Sequence, residues 1–418
     1  MASHLTKPLS VWCLLRDQFG HVKPVEEFLG DRAAFVYDSS WDPSLMLAAA
    51  PDVVICVNDV HYGVGLCLVV ARKAGIPSVV LQDGILEWRC QYENPRLGVG
   101  GGPPQHQPVL ADKIACIGPS SARHISSWGN EGKVEVTGMP RLDLLSASEV
   151  SQRRRSGSRL LVMTAKKPGF TEEQVSITLQ SLRDLKNHLD SLAGVEVTWR
   201  LTKNLATQIG VENRLTSLDG GELAEQLRWV DAVITTPSTA MLEAMTFERP
   251  VGCLDYHNTP RFVPTAWAIS APEQIEKVVA EILAPSAAKM AFQRVCLHDA
   301  LLCEGSAAAR VGELILRMAS GVGRVEGNGS IPHRAAREAT ASHDGSRTTV
   351  PSLSELYPES SVFEDNDPRS LQVRLARAES ENARLVRQRS ERGLGYWVQT
   401  AGRATARRLK ARYHREHS

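Results

Sequence analysis

Residues 230–250 concentrate groups suited to holding a phosphorylated ligand. Thr235, Thr236, Ser238 and Thr239 supply hydroxyls within a short span, and the carboxylate of Glu243 follows. Val230 to Ile234 is a short, nearly all-apolar run, the pattern of a strand buried on both faces. Pro237 suits the first position of a helix, with Thr236 as its N-cap. Ser238 and Thr239 then place hydroxyls and backbone N–H groups at a helix N-terminus, where anions are favoured. Glu243, about one turn further along, is placed to accept hydrogen bonds from sugar hydroxyls. The combination suits a nucleotide-sugar or similar nucleotide-linked donor. The same residue types also serve ordinary capping, because a Ser or Thr cap and an early Glu stabilise any such helix.

Group transfer from a nucleoside diphosphate needs a base for the acceptor hydroxyl. It needs cations or N–H dipoles at the departing phosphate, and alignment of both substrates in a cleft. Asn58-Asp59-Val60-His61 follows the apolar run 53–57, and that strand-end position points Asp59 and His61 at a cleft. Lys166 and Lys167 follow the run 159–164, and Arg200 and Lys203 lie at the end of 195–201; all four are cations for the leaving group. Asp365-Asn366-Asp367 spells a D-x-D. It lies in an acidic, structureless stretch, whereas a metal site needs several ordered oxygen ligands, so no metal site is expected.

The elements that must position these groups alternate along residues 9–320. Strands are predicted at Leu9–Leu15, Ala33–Tyr37, Val53–Val57, Ser78–Leu81, Lys113–Ile117, Val134–Thr137, Arg159–Thr164, Val195–Leu201, Ala232–Thr235 and Pro250–Leu254. Helices are predicted between them, including Leu66–Ala74, Glu172–Leu192, Glu222–Trp229 and Thr239–Phe247. Alternating β and α elements predict an α/β protein with parallel sheets covered by helices. The polar stretch 145–158 reads as the join between two Rossmann-like domains, an N-terminal one over 1–148 and a C-terminal one over 157–320. A ligand cleft is expected between them.

The 418 residues suit two or three domains, and 43% hydrophobic content is enough for sizeable cores. A net charge of +1 points to no nucleic-acid partner. The eight cysteines show no CxxC spacing, and Cys56, Cys67 and Cys116 sit in apolar runs. They read as buried thiols of a reducing compartment rather than as a disulfide framework or zinc site. Neither a signal peptide nor a membrane span is evident, so a cytoplasmic protein is expected, with membrane contact only at the inner face. Residues 322–367 have the composition of a disordered linker. Within 368–418, the stretch 370–391 spaces Leu371, Leu375, Ala378, Asn382 and Leu385 as a short coiled coil or a solvated helix would, and a homodimer through it is an expectation. The tail beyond carries Arg403, Arg407, Arg408, Lys410, Arg412 and Arg415, a basic segment suited to anionic lipid or simply to water.

Several segments, in order, resemble one superfamily. They are Pro51–Ile55, Ala74–Gly84, Ala111–Gly118, Val136–Asp143, the 230–250 motif and Glu304–Arg310. The series is similar to GT-B fold transferases of bacterial surface-polysaccharide synthesis. The CDP-glycerol glycerophosphotransferase and capsule polysaccharide transferase group is nearest in flavour. UDP-N-acetylglucosamine 2-epimerases share the fold and the step at 136–143. The resemblance implies an acceptor domain followed by a donor-nucleotide domain, with Ser238 and Thr239 at the donor phosphates and Glu243 at the ribose. It implies no cofactor and no metal, since helix N-termini and basic side chains offset the leaving-group charge.

The resemblance also directs attention to His21. Gly20-His21, after the first strand, occupies a place where many such enzymes put a base or donor contact, although a surface turn would read the same way. Its imidazole ordinarily titrates near neutrality. Two positions depart from the group's pattern. Gln82-Asp83-Gly84 has Asp83 where a histidine is usual, an alternative base or a sign of altered activity. Arg200-Leu201-Thr202-Lys203 keeps the arginine but lacks the usual histidine, and lysine is a point charge that cannot relay a proton as imidazole does. Arg310, on the helix after Glu304-Gly305-Ser306, is expected to brace the N-terminal domain.

The expected function is transfer of a sugar or polyol phosphate from a nucleotide-linked donor, such as a nucleotide sugar or CDP-polyol, to a surface-glycan or lipid-linked acceptor. Two alternatives stand beside it: a nucleotide-sugar 2-epimerase, and a degenerate, non-catalytic GT-B scaffold.

Overall fold

A computed structural model describes residues 7–16, 19–95, 104–143, 158–215 and 223–321. The first sheet is built from β1 (Leu9–Leu14), β2 (Ala33–Asp38), β3 (Val53–Cys56), β4 (Ser78–Leu81), β5 (Lys113–Cys116) and β6 (Val134–Val136). Helices α1 (Phe19–Leu29), α2 (Pro43–Ala49), α3 (Tyr62–Lys73), α4 (Trp88–Tyr92) and α5 (Pro119–Ile125) connect them. The second sheet comprises β7 (Ser158–Met163), β8 (Val195–Arg200), β9 (Ala232–Thr235), β10 (Val251–Leu254) and β11 (Trp267–Ile269). With it come α6 (Glu172–Asp190), α7 (Lys203–Ile209), α8 (Leu223–Trp229), α9 (Ala240–Thr246), α10 (Ile275–Leu283), α11 (Ala287–Ala300) and α12 (Ala307–Ala319).

Strand orders are β2-β1-β3-β4-β5-β6 and β11-β10-β9-β7-β8. Every pairing between these strands is parallel. β3, β4, β9 and β10 are buried at every position, as parallel strands covered on both faces must be. The order reverses between β1 and β3 in one sheet and between β7 and β9 in the other. Such switch points open crevices at the carboxyl ends of the strands, where α/β sheets bind ligands.

All ten predicted strands form, with ends shifted by a residue or so. The eleventh, Trp267–Ile269, is too short to leave a pattern; it is fixed by pairing with β10 and by burial of Trp267, whose Nε1 donates to Glu281 Oε2 at 3.1 Å.

The last described helix leaves the second sheet and packs on the first. Ala308, Val311, Leu314, Ile315 and Met318 of α12 share a core with Val11, Val25, Val53 and Val79. Two resembling segments join to seat it. The Asp143 carboxylate accepts from the N–H groups of Ala307 at 2.9 Å and Ala308 at 2.7 Å, and from Ser306 Oγ at 2.8 Å. These contacts satisfy donors that a helix N-terminus otherwise leaves open. Arg310 Nε donates to the Thr137 carbonyl at 2.7 Å. Gly138 has φ +82°, and a Cβ there would lie 2.8 Å from the Leu302 carbonyl oxygen, so only glycine suits this turn. Arg310 thus braces the N-terminal domain.

Both sheets lie within one compact unit. The join at 145–157, the linker 322–367, the D-x-D at Asp365–Asp367 and the helix and basic tail of 368–418 lie outside the described residues. Among the described residues no helix is long and apolar enough to cross a membrane, and no three His, Cys, Asp or Glu side chains are grouped to hold a metal ion. All eight cysteines are free thiols, Cys56, Cys67 and Cys116 among the buried ones.

Candidate functional site

The second sheet offers hydroxyls at its switch point. The Thr236 hydroxyl accepts from the Ala165 N–H at 3.0 Å, tying the loop after β9 to the loop after β7. Ser238 Oγ lies 3.4 Å from Thr235 Oγ1. The helix begins later than the sequence predicts, at Ala240, and its cap position, Thr239, makes no side-chain capping bond. Thr236 is therefore not the N-cap and Pro237 is not the first helical residue. The physical reason is competition: both threonine hydroxyls have partners outside the helix. Thr239 Oγ1 accepts from the Ile85 N–H of the first domain at 3.1 Å. That approach requires Gly84, where a Cβ would lie 2.2 Å from the same oxygen.

Cations flank these hydroxyls unequally. Arg200 is half-buried; desolvation lowers the pKa of its guanidinium, and the charge of Glu243 opposes that effect. Lys203 is exposed at the start of α7. Thr202, at the place where the resembling group carries histidine, caps α7 by accepting from the Leu205 N–H at 3.5 Å. Lys166 and Lys167 are exposed.

The first sheet contributes titratable groups instead. His21 lies in the first turn of α1, with Nδ1 buried and unpartnered among the described residues. Burial, and then the charge of Arg141, lowers its pKa to about 4, so the imidazole is neutral near pH 7. Burial pushes the Asp83 carboxyl above its ordinary range, against opposing effects from His106, its own N–H, Arg141 and a hydrogen bond from Gln105. Gln82 fixes the adjacent turn: Nε2 donates to the Gly84 carbonyl at 2.7 Å, and Oε1 accepts from the Ile117 N–H at 3.1 Å.

Two expected bases are placed differently. His61 does not join the buried groups. It is exposed at the cap of α3 and stacks on Trp41 with ring centres 5.3 Å apart. Asp59 is buried and already engaged. Oδ2 accepts from the Leu110 N–H at 3.0 Å, and Oδ1 lies 3.3 Å from His106 Nδ1. Burial, the largest influence, would raise its pKa, but the contact with His106 and the hydrogen bonds from the Leu110 N–H and its own N–H together hold it below the usual carboxylate range.

The two halves meet at Arg141 and Glu243, with Arg141 Nη1 2.8 Å from Glu243 Oε1. Glu243 is thus ion-paired across the cleft rather than open to a ribose. Arg141 acts electrostatically on both His21 and Asp83, and Glu243 acts on Arg200. One continuous electrostatic group therefore contains His21, Asp83 and Arg141 from one domain and Glu243 and Arg200 from the other. The walls are latched nearby. Arg89 Nη1 donates to the Pro168 carbonyl at 3.0 Å, and Ser120 Oγ donates to that of Phe262 at 3.0 Å. The cavity between Ile85–Trp88 and Thr259–Val263 is about 20 Å³, room for one water.

Sequence reasoning missed Arg141 and His106. Arg141 lay inside a segment already singled out, and a lone arginine in an Asp-bearing turn was the available signal. His106 lay in an irregular stretch with no pattern around it.

Two parallel α/β sheets with facing carboxyl ends and a terminal helix returning to the first constitute the GT-B fold, and solved structures share it. No family model and no curated protein matches the chain. The wall teichoic acid polymerase TagF soaked with CDPG superposes with a TM-score of 0.51 at 12% identity, over 75% of this chain and 90% of that one. The S. aureus MnaA–UDP structure gives 0.52 at 13%, over 75% and 97%. Methanocaldococcus jannaschii UDP-GlcNAc 2-epimerase, bound to UDP-GlcNAc and UDP, gives 0.51 at 12%, over 74% and 99%. At these identities the likeness establishes the fold.

Proposed function

We propose that this chain binds a nucleotide-linked sugar or polyol phosphate between its two sheets and transfers the group to a surface-glycan or lipid-linked acceptor. The observation that carries the reading is the Arg141–Glu243 pair at 2.8 Å, which joins a titratable cluster on one side to hydroxyls and a cation on the other. When the walls part, Arg141 and Arg200 offset phosphate charge, and the released Glu243 accepts ribose hydroxyls. Thr239, freed from Ile85, turns its hydroxyl to the donor. Asp83 takes the proton of the acceptor hydroxyl, a role that its elevated pKa suits. Neutral His21 accepts a hydrogen bond or a proton beside it. Nucleotides bound to solved structures of the same fold support a nucleotide-linked ligand.

The test is a metal-free thermal-shift screen of CDP-, UDP-, GDP- and CMP-linked donors against the protein and its Glu243→Ala variant. Binding stabilises the native state by mass action. One nucleotide class should raise the midpoint of the parent and not of the variant; no shift with any donor overturns the reading. Epimerisation is the second reading, favoured by the crowding of acid and imidazole groups around Asp83. Turnover of a free nucleotide sugar without acceptor would select it. Binding with no turnover of any donor would select a non-catalytic scaffold.

A further inference from the structure

Arg16 and His61 are polar groups of the first sheet that the proposed chemistry leaves unused, and they meet on one aromatic ring. Arg16 follows β1, Trp41 follows β2 and His61 follows β3, so three strand-end loops converge there. The Arg16 guanidinium lies 3.7 Å from the centre of the Trp41 ring, and the His61 ring stacks on it at 5.3 Å and 24°. Trp41 is held firmly. Its φ is +55°, a left-handed conformation that costs energy in a non-glycine residue and persists only where its surroundings impose it. The turn leading to it is pinned: Asp38 Oδ1 accepts from the Ser40 N–H at 2.8 Å, and the Ser40 hydroxyl accepts from the Asp42 N–H at 3.3 Å. Gly63 leaves the ring its room, since a Cβ there would come within 3.1 Å of Trp41 Cβ and Cε3.

The stack leaves the end of the guanidinium open. Arg16 Nε donates to the Ser39 carbonyl at 3.2 Å, while Nη1 and Nη2 have no hydrogen-bond partner among the described residues. Two carboxylates in the neighbouring turn do not pair with it. Asp42 Oδ1 caps α2 by accepting from the Ser44 N–H at 2.8 Å, and Asp38 gives Oδ1 to Ser40 and keeps its other oxygen buried. Arg16 and His61 are both exposed. An arginine laid on a tryptophan with its Nη pair free presents a fork that matches two oxygens of a phosphate or carboxylate. We propose that Arg16, Trp41 and His61 form an anion subsite that holds a phosphate or carboxylate group carried by the acceptor. Trp41 orients the guanidinium, Arg16 Nη1 and Nη2 donate to two oxygens of that group, and an imidazole N–H of His61 donates to a hydroxyl beside it. Asp83 follows β4, the neighbour of β3, so the three loops lie roughly 5–15 Å from it at the usual strand spacing. An acceptor anchored at the stack can therefore extend its hydroxyl to Asp83, and the subsite selects acidic over neutral acceptors.

This inference rests on the transfer reading, in which the acceptor lies at Asp83, but its test needs no nucleotide. The full chain is isotopically labelled at its indole nitrogens, and the Trp41 signal is assigned by NMR through Trp41→Phe. Glycerol phosphate, glycerate and glycerol are then titrated in turn at low salt. The expected result is a saturable movement of the Trp41 signal with at least one of the two anions and none with glycerol; the anion that acts at lower concentration names the group. Arg16→Gln alters an exposed side chain and should fold. It should weaken the anion by at least about tenfold, as loss of a charge-assisted bidentate pair does. Arg16→Lys should recover only part of that, because a point charge lacks the fork. A Trp41 signal unmoved by both anions, moved as much by glycerol, or moved equally in Arg16→Gln overturns the proposal. Nucleotide-linked donors are judged in the thermal screen, where Arg16→Gln should behave as the parent. No anion binding with donor stabilisation intact would remove the subsite and leave the transfer reading standing; anion binding with no donor stabilisation would do the reverse.

Discussion

The two strand-end crevices of this molecule are built from different chemistry. The first sheet lines its crevice with titratable side chains, His21, Asp59, Asp83 and His106, of which Asp59 and His106 are buried. The second presents threonine and serine hydroxyls, backbone N–H groups and the half-buried Arg200. One wall carries titratable side chains and the other hydroxyls, N–H groups and a cation, so the two present complementary chemistry. The Arg141–Glu243 ion pair couples the two.

The comparison can be broken most severely through α12. Ile315→Ala should cost about 3 kcal/mol, the usual range for a buried aliphatic truncation. Because this side chain belongs to the core of the first sheet, hydrogen exchange should quicken in β1 and β3 well before β7 and β9. Equal quickening in both sheets would contradict that allocation.

Arg141→Ala strands the carboxylate of Glu243, which is buried at 8% exposure. Loss of one partner of a buried pair costs several kcal/mol. The Arg141 side chain is 27% exposed, so about 2 kcal/mol is expected here. Chemical denaturation checks it, and Arg141→Ala with Glu243→Ala together should recover part of the loss.

His21 should report on the acid side. Its folded pKa, about 4, lies below the ordinary histidine value. The folded state therefore binds fewer protons, and stability falls as pH drops from about 6.5 towards 4. Roughly 1–2 kcal/mol should be lost over that window, allowing for partial exposure. His21→Gln should flatten this limb of the stability profile, and an unaltered limb would place the titration elsewhere.

The hydroxyl-bearing wall should yield the smallest effects. Thr236→Val leaves the Ala165 N–H without its acceptor and should cost about 1 kcal/mol. Lys203→Ala, at an exposed position, should stay within about 0.5 kcal/mol by thermal melting.

Much of this fold was readable in the chain because buried parallel strands are written as short apolar runs. Val53–Cys56 and Ala232–Thr235 needed no tertiary knowledge, since strands covered on both faces can be little else. Trp267–Ile269 has too few residues for any period, and only its neighbour β10 makes it a strand. The site was less readable. Asp83 stood out by its position after β4, but nothing in the residues near His106 marked it as a partner of Asp59, 47 positions away by numbering. Thr236 looked like a cap because capping is local, whereas its actual partner, Ala165, is on another strand's loop.

The sequence by itself determined the alternation of strands and helices, the hydroxyl-rich turn after β9 and the carboxylate in place of histidine at position 83. These are matters of local pattern and residue type, and neither depends on what packs alongside. Tertiary structure decided which of those groups are already engaged. Thr239 is taken by Ile85, Glu243 by Arg141, Asp59 by His106 and Leu110, and α12 by the first sheet. Hydrogen bonds and ion pairs are satisfied by whichever partner the folded chain brings within about 3 Å, and separation along the sequence carries no record of that distance.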